Sequence, residues 1–395
     1  MVKKDAIIIF GDTFTFPDGN AATNRVHTFA KGYSELGIKA IVICFRNDYM
    51  ENNIGTFQDI DYYYPFNQTR RSNSFLKRRF VKLAKYFRTI SIIRKLSNDY
   101  SVLAINLWTN RLLVQLFVYF LGRNIKSKII HEHSEHPLRE CKGKIQTQSG
   151  EIKSYFGTRL CDGIFCISNY LINFYLQRGV GNEKLLLVPS TVDTGRFRSI
   201  TVSPLSYDYI LYCGSLTIQK DGVDILVDSF NHLSSSFPEI KLVLIGKGDI
   251  PEEEIAIKKR VADLGLTNRV VFLGQLGRMD VPAYICHAKV LALARPRSIV
   301  ADAGFPSKLT EYLSSGKPVV VTRVGEIPYF LKDNEHAFLT EPGNALEFAR
   351  RLADVLNNYE FAISVGEKGK GLTETIFNYR YQAERMIEFI QKPGK

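Results

Sequence analysis

The chain has 395 residues, 45% of them hydrophobic and 12% aromatic, with a formal net charge of +12. That length exceeds a single hydrophobic core, and that apolar content excludes a disordered chain. The apolar run after the N-terminal lysines is too short for a secretory signal, and 112–121 is half a membrane span, so a cytoplasmic location is expected.

In chain order, 6–10 reads as a buried strand, 11–20 as a polar loop and 22–36 as a helix closed by Gly37. A strand at 39–45 follows. Between Arg70 and Lys95 lie ten basic residues and no acid. There Leu76, Phe80, Leu83, Phe87 and Ile90 recur at helical spacing, with Lys77, Arg78, Lys82, Lys85 and Arg88 covering much of the remaining surface. A basic amphipathic helix at 75–96 suits the face of an anionic membrane; the alternative is a core-packed helix with a solvated basic face. No nucleic-acid motif accompanies the charge, so nucleic acid is not an expected partner. Further strands are expected at 102–107, 128–131, 163–167 and 185–188. After a polar boundary at 190–208 they resume at 209–213, 241–245, 270–273, 290–294 and 318–322.

Strands alternating with amphipathic stretches indicate an α/β chain with two doubly wound, parallel, Rossmann-like domains. The expected domains are 1–195 and 205–376, with a C-terminal helix in 377–395 packing back on the first. Ligands of such sheets bind beyond the carboxyl ends of the strands, which predicts a site in an interdomain cleft. Six cysteines (Cys44, Cys141, Cys161, Cys166, Cys213 and Cys286) form no CxxC pair and read as core thiols in a reducing compartment.

The most informative segment is AGFPSKLTEYLSSGKPVVV, 303–321. Pro306 and Ser307 open a helix, Gly316 stands past its end, and PVVV reads as a strand covered on both faces. A helix start facing strand ends offers N–H groups to a phosphate. Ser307, Lys308 and Glu311 lie in its first turn and a half, so a phosphate on the helix end and diol hydroxyls on Glu311 would suit a nucleotide. Lys220, before a helix near Asp221 or Gly222, can place a charge on a diphosphate. Gly246 and Gly248, in LVLIGKGD, permit close backbone approach or form a plain turn.

ILYCGSLTIQKDGVDILVDSF, KLVLIGKGD, RVVFLGQLGRMDVPAYICHAKVLALARP and GFPSKLTEYLSSGKPVVVT together resemble the retaining glycosyltransferases of the GT-B fold, family 4. FCISNYLINFY, LLVPSTVDTGRF and GNAATNRVHTFAKGYSELG fit the acceptor domain of that family. The resemblance implies a nucleotide-sugar donor, most simply a UDP-sugar, bound mainly by the second domain, and no cofactor or metal. It implies that Lys220 neutralises the departing diphosphate, aided by amides around Ser307 and Lys308, while Glu311, the second carboxylate of a Glu-x7-Glu motif, holds the ribose. Gly214, Ser215, Gly246, Gly248 and Arg297 complete the expected donor site. Gly19 and Asn20 are placed where the first loop approaches the diphosphate, with Asn24 and Arg25 starting the helix behind it.

Two departures stand out. The first motif carboxylate is Ala303, with Asp302 beside it, and the usual arginine after the first donor-domain strand is Ser215. Arg295, Arg297 or Lys308 can compensate for the charge and Asp302 for the carboxylate.

In the first domain, KIIHEHSEHP (128–137) nearly matches a metallo-hydrolase HxHxDH signature through His131, His133 and His136, but Glu135 stands at the Asp position. The preferred reading is a polar loop at a strand end, with His133 and Glu135, then Glu132, contacting sugar or acceptor. Asp59-Ile-Asp61 resembles the DxD of another glycosyltransferase fold and reads as surface charge in a loop. The expected activity is transfer of a hexosyl group to a polysaccharide or lipid-linked acceptor at the inner membrane face, with 75–96 on the membrane. A silent partner subunit and a nucleotide-sugar 2-epimerase are the alternatives.

Overall fold

The computed structural model describes residues 3–19, 21–137, 144–248 and 250–392, so Asn20 and Cys141 lie outside the described residues. The chain divides into two compact units, Met1–Thr191 with Tyr379–Lys395, and Val192–Asn378.

The first unit is built on strands β1 (Lys4–Gly11), β2 (Lys39–Cys44), β3 (Ile54–Phe57), β4 (Ile60–Tyr63), β5 (Tyr100–Trp108), β6 (Lys128–His133), β7 (Gly163–Cys166) and β8 (Leu185–Leu187). They lie in the order β3-β4-β2-β1-β5-β6-β7-β8, all parallel except the β3/β4 hairpin. The order reverses at β1/β5, because the chain winds first to one side of β1 and then to the other. Runs such as Ile7-Ile8-Ile9 are buried on both faces, as a parallel sheet covered by helices requires.

Helices α1 (Ala21–Glu35), α2 (Phe75–Asp99), α3 (Leu112–Asn124), α4 (Lys144–Arg159) and α5 (Asn169–Leu176) connect these strands, and a C-terminal helix, Tyr379–Gln391, returns to α1. Gly32 permits that return: a Cβ there would meet Ala383 Cβ at 2.6 Å. Tyr379 donates to Glu35 Oε1 at 2.7 Å, and Met386 enters the core beside Tyr33.

The second unit carries β9 (Tyr209–Cys213), β10 (Lys241–Ile245), β11 (Val270–Gly274), β12 (Val290–Leu293), β13 (Val319–Thr322) and β14 (Phe338–Thr340), ordered β11-β10-β9-β12-β13-β14 and wholly parallel. Its helices are α6 (Val223–Ser234), α7 (Pro251–Asp263), α8 (Val281–His287), α9 (Ile299–Ala303), α10 (Ser307–Ser314), α11 (Ile327–Phe330), α12 (Ala345–Asn357) and α13 (Tyr359–Gly371). Here the winding reverses at β9/β12. Both units are therefore Rossmann-like.

Three expectations require correction. Strand β6 runs to His133, so 131–133 is sheet and not loop, held by pairing of His131, Glu132 and His133 to Ile164, Phe165 and Cys166. Asp59 and Asp61 belong to a hairpin: Gln58 and Asp59 have φ of 48° and 62° in the turn, and Asp61 pairs with Lys39 at 2.7 Å. The apolar stripe of α2 faces outward, while Lys85 turns in to Phe45 O (3.3 Å) and Asn47 Oδ1 (2.8 Å). Burial brings the Lys85 ammonium down to about 8, which leaves it charged at neutral pH.

Arg25, on α1, binds Glu132 Oε1 at 2.8 Å and the carbonyls of Pro189 (2.6 Å) and Val188 (2.7 Å), with both partner side chains buried. It ties α1 to β6 and to the segment after β8. Arg25→Met strands the Glu132 carboxylate and is expected to destabilise the first unit by about 3–5 kcal/mol. Calorimetry should show its transition falling while that of the second unit stays in place.

Candidate functional site

At the reversal point of the second unit, β9 ends at Cys213 and the chain turns through Gly214 to α6. Gly246 has φ of 134°, and a Cβ there would run into the Gly214 carbonyl. The close approach permitted by this glycine is thus between two loops of the chain. Gly214 N–H donates to Ile245 O at 2.9 Å, Leu216 N–H to Lys247 O at 3.1 Å and Ser215 Oγ to Lys247 O at 3.2 Å. Gly248 N–H is taken by Glu254 Oε2 at 2.8 Å. The two loops hold each other in place before any ligand arrives.

Above them sits a buried charge cluster. Lys308 Nζ lies 2.5 Å from Asp221 Oδ2 and 3.0 Å from Tyr212 Oη, and a Cβ on Gly214 would overlap that ammonium. Tyr212 also donates to Asp221 Oδ2 at 2.9 Å. Burial pushes the Asp221 carboxyl up, but Lys308, Arg295 and Lys220 more than reverse this, leaving it below its ordinary value. Burial lowers the Lys308 ammonium, and Asp221 opposes that. Arg295, 3% exposed at the end of β12, has no hydrogen-bond partner for Nε among the described residues. Burial lowers its pKa as well, against the fields of Asp221, Tyr212 and Asp302. Lys220 is exposed in the turn before α6. Three cations thus face two carboxylates at the carboxyl ends of β9 and β12, and the excess is positive.

Helix α10 starts over this cluster. Pro306 supplies no side-chain cap, so the first turn at Ser307 and Lys308 is of the kind that accepts an anion. Tyr312 anchors the helix, accepting from Cys213 N–H at 2.7 Å. Glu311 Oε1 is bound by Arg196 Nη1 at 2.8 Å, and Arg196 Nη2 donates to Arg278 O at 2.7 Å. Ala303 is buried in α9, Asp302 beside it is partly buried, and Arg297 is exposed.

The structure therefore brings Lys220, Gly214, Ser215, Lys308 and the start of α10 to one reversal point. It ties Lys308 to Asp221, and Ser215 and Gly248 to their own loops. Sequence reasoning passed over Arg196 and the roles of Asp221 and Tyr212. Their signal is faint: Arg196 is one arginine in a polar boundary, and Asp221 looked like an ordinary helix start.

In the first unit, Gly19 is enclosed by Thr15 and Thr23, whose hydroxyls donate to Asp18 O (2.5 Å) and Thr15 O (2.7 Å). His133 Nδ1 lies 3.0 Å from Tyr175 Oη. Burial raises the Tyr175 phenol well above its ordinary value, so it stays protonated beside the imidazole. His131 and His133 share one face of β6, their ring centroids 5.8 Å apart, and Glu132 takes the other. Among the described residues no group of three potential ligands is close enough to hold one. Glu132 is committed to Arg25 and is withdrawn from acceptor contact; Glu135 follows the strand, partly buried.

A doubly wound unit with a positive reversal point beneath an uncapped helix is an arrangement at which α/β folds commonly bind anionic ligands. Residues 207–358 match the glycosyl transferases group 1 family. An uncharacterised glycosyltransferase from Methanocaldococcus jannaschii is 24% identical over 240 residues, 60% of this chain and 60% of that protein. The match spans 53–62% of the length of that protein and two further curated relatives. Sucrose-phosphate synthase from Thermosynechococcus elongatus superposes with a TM-score of 0.74 at 16% identity, covering 98% of this chain and 99% of that one. HepE of Anabaena, solved with UDP and glucose, superposes at 0.71 and 16% identity, with coverage of 98% and 99%. The chain is therefore similar to glycosyl transferases group 1 through its second unit, and its two Rossmann-like units have the GT-B fold.

Two outcomes test this geometry. Asp221→Ala leaves Lys308 without its buried counter-ion and is expected to destabilise the second unit by about 3–5 kcal/mol, read by denaturant unfolding. Burial holds His131 at about 3 and His133 at about 4, against 6.5 in the unfolded chain. The unfolded chain therefore binds more protons below about pH 6.5, and stability falls as pH drops towards 4. His131→Leu should shrink the loss of Tm between about pH 7 and pH 5; an unchanged loss contradicts a buried neutral imidazole.

Proposed function

We propose that this chain is a retaining, metal-independent hexosyltransferase that moves a sugar from a nucleotide-sugar, a UDP-sugar in the first instance, to a polysaccharide or lipid-linked glycan hydroxyl. The proposed location is the cytoplasmic face of the cell membrane. The observation that carries the reading is the positive reversal point of the second unit, where Arg295, Lys308 and Lys220 outnumber Asp221 and Asp302 beneath the start of α10. Charge grows on the diphosphate as it departs, so fixed cations and helix N–H groups aimed there stabilise the transition state more than the ground state.

In this reading Lys220 meets the departing diphosphate from the solvent side, and Arg295 and Lys308 hold the field from below. Lys308 supplies the charge absent at Ser215. Glu311, steadied by Arg196, takes the ribose hydroxyls, and Asp302 takes the sugar contact in place of Ala303. His133 and Glu135, with Gly19 and Asn20, serve the acceptor and the sugar from the first unit. The UDP bound to HepE supports the choice of base.

Thermal-shift titration with UDP-, GDP- and ADP-sugars, with and without EDTA, tests donor and metal together. Stabilisation by UDP-sugars alone, unchanged by EDTA, is expected; a shift lost with EDTA overturns metal independence. Lys220→Ala should lower kcat by about a hundredfold or more with little change in Tm. Turnover at the wild-type rate would remove Lys220 from the chemistry. Donor binding without transfer to any acceptor would indicate a silent subunit, and donor isomerisation without acceptor a 2-epimerase.

A further inference from the structure

Along α2, Leu76, Phe80, Leu83 and Phe87 are 78%, 71%, 61% and 72% exposed. At about 100° per residue they fall within roughly 60° of the helix circumference. The buried residues Lys85, Thr89, Ile93 and Leu96 lie on the opposite side. Water favours neither choice, since a buried lysine and four exposed large apolar side chains both cost free energy. Helix α3 extends the row. Its Phe117 ring packs edge-on against Tyr86 of α2, 4.9 Å between centroids, and Leu113 and Phe120, one turn to either side, are 73% and 67% exposed.

Exposed cations border the row. Lys77 and Lys95 stand on one flank, Arg79 on the other, and Arg94 continues its line. Phe87, Ile90, Ser91, Arg94, Lys95 and Asn98 line an open hollow beside it, of mixed apolar and polar character with two cations. From residue 62 to residue 98 there is no acid. Such a face repels a second copy of itself, because a two-fold contact would set like charges against each other. A surface that is apolar within and negative at its boundary complements it. Among the described residues no helix is long and apolar enough to cross a membrane, so α2 would lie in the membrane plane.

We propose that this face of the first unit docks on an anionic lipid bilayer, with Leu76, Phe80, Leu83 and Phe87 entering the acyl boundary and Lys77, Arg79, Arg94 and Lys95 meeting the headgroup phosphates. The proposal deepens the membrane-face reading above and rests on it only for the kind of acceptor served. It is read without donor or acceptor, so its failure leaves the transfer chemistry standing, and the reverse also holds.

The test is co-sedimentation of the full chain with phosphatidylcholine vesicles, alone or with about one third phosphatidylglycerol. The wild type should pellet with the anionic vesicles and stay in solution with the neutral ones. Phe80→Ser with Phe87→Ser should lower the bound fraction at least about tenfold. Lys77→Gln with Arg79→Gln should lower it about tenfold, and high salt should mimic that pair. All four side chains are exposed, so unchanged melting curves are the control. Equal pelleting with both vesicle types, or binding unaffected by either pair, overturns the proposal. So does a concentration-dependent dimer abolished by the phenylalanine pair in the absence of vesicle binding.

Discussion

Lys308 and Asp221 come from segments 87 residues apart, and their contact decides where α10 begins over the sheet of the second unit. The pair is buried, so it tolerates little movement: separating the charges would leave each desolvated and unpaired. Tyr212 adds a hydroxyl bound to both charges, and Tyr312 bonds α10 back to the end of β9. Gly214 and Gly246 are constrained in turn. One has the ammonium where a Cβ would stand, the other a carbonyl. The reversal point is therefore assembled in advance, and an arriving anion would meet a field that needs little reorganisation.

The first unit uses the same device for a different end. Arg25 spans helix, strand and the segment after β8, and its guanidinium geometry suits one carboxylate and two carbonyls at once. A lysine in its place would reach fewer of them. Burying Glu132 here consumes a residue that sequence reasoning offered to the acceptor. His133, on the other face of β6, stays neutral at physiological pH with its orientation set by Tyr175. The two units bury charge where position must be exact in direction, and α2 does the opposite with its apolar row.

Much of the architecture was legible along the chain. Alternating apolar and amphipathic segments revealed the parallel strands, because a strand covered on both faces must be apolar throughout. Short elements escaped. The β3/β4 hairpin lies within a tyrosine-rich stretch without a clean period, and β14 has only three residues. The motif at 303–321 announced a helix start through residue types alone: proline at the opening, hydroxyl and cation in the first turn, glycine beyond the end.

Local sequence determined the alternation of elements, the two Rossmann-like halves, the helix over 75–96 and the kinds of side chain gathered near Ser307. These follow from periodicity, turn chemistry and backbone propensity, which act over a few residues. Tertiary structure alone decided that Lys308 turns to Asp221, that Glu311 is clasped by Arg196, that Glu132 is sealed against Arg25, and that Lys85 faces in while Phe80 and Phe87 face out. Each of those outcomes balances a desolvation cost against a partner distant in the chain, and no local window contains both sides of that balance.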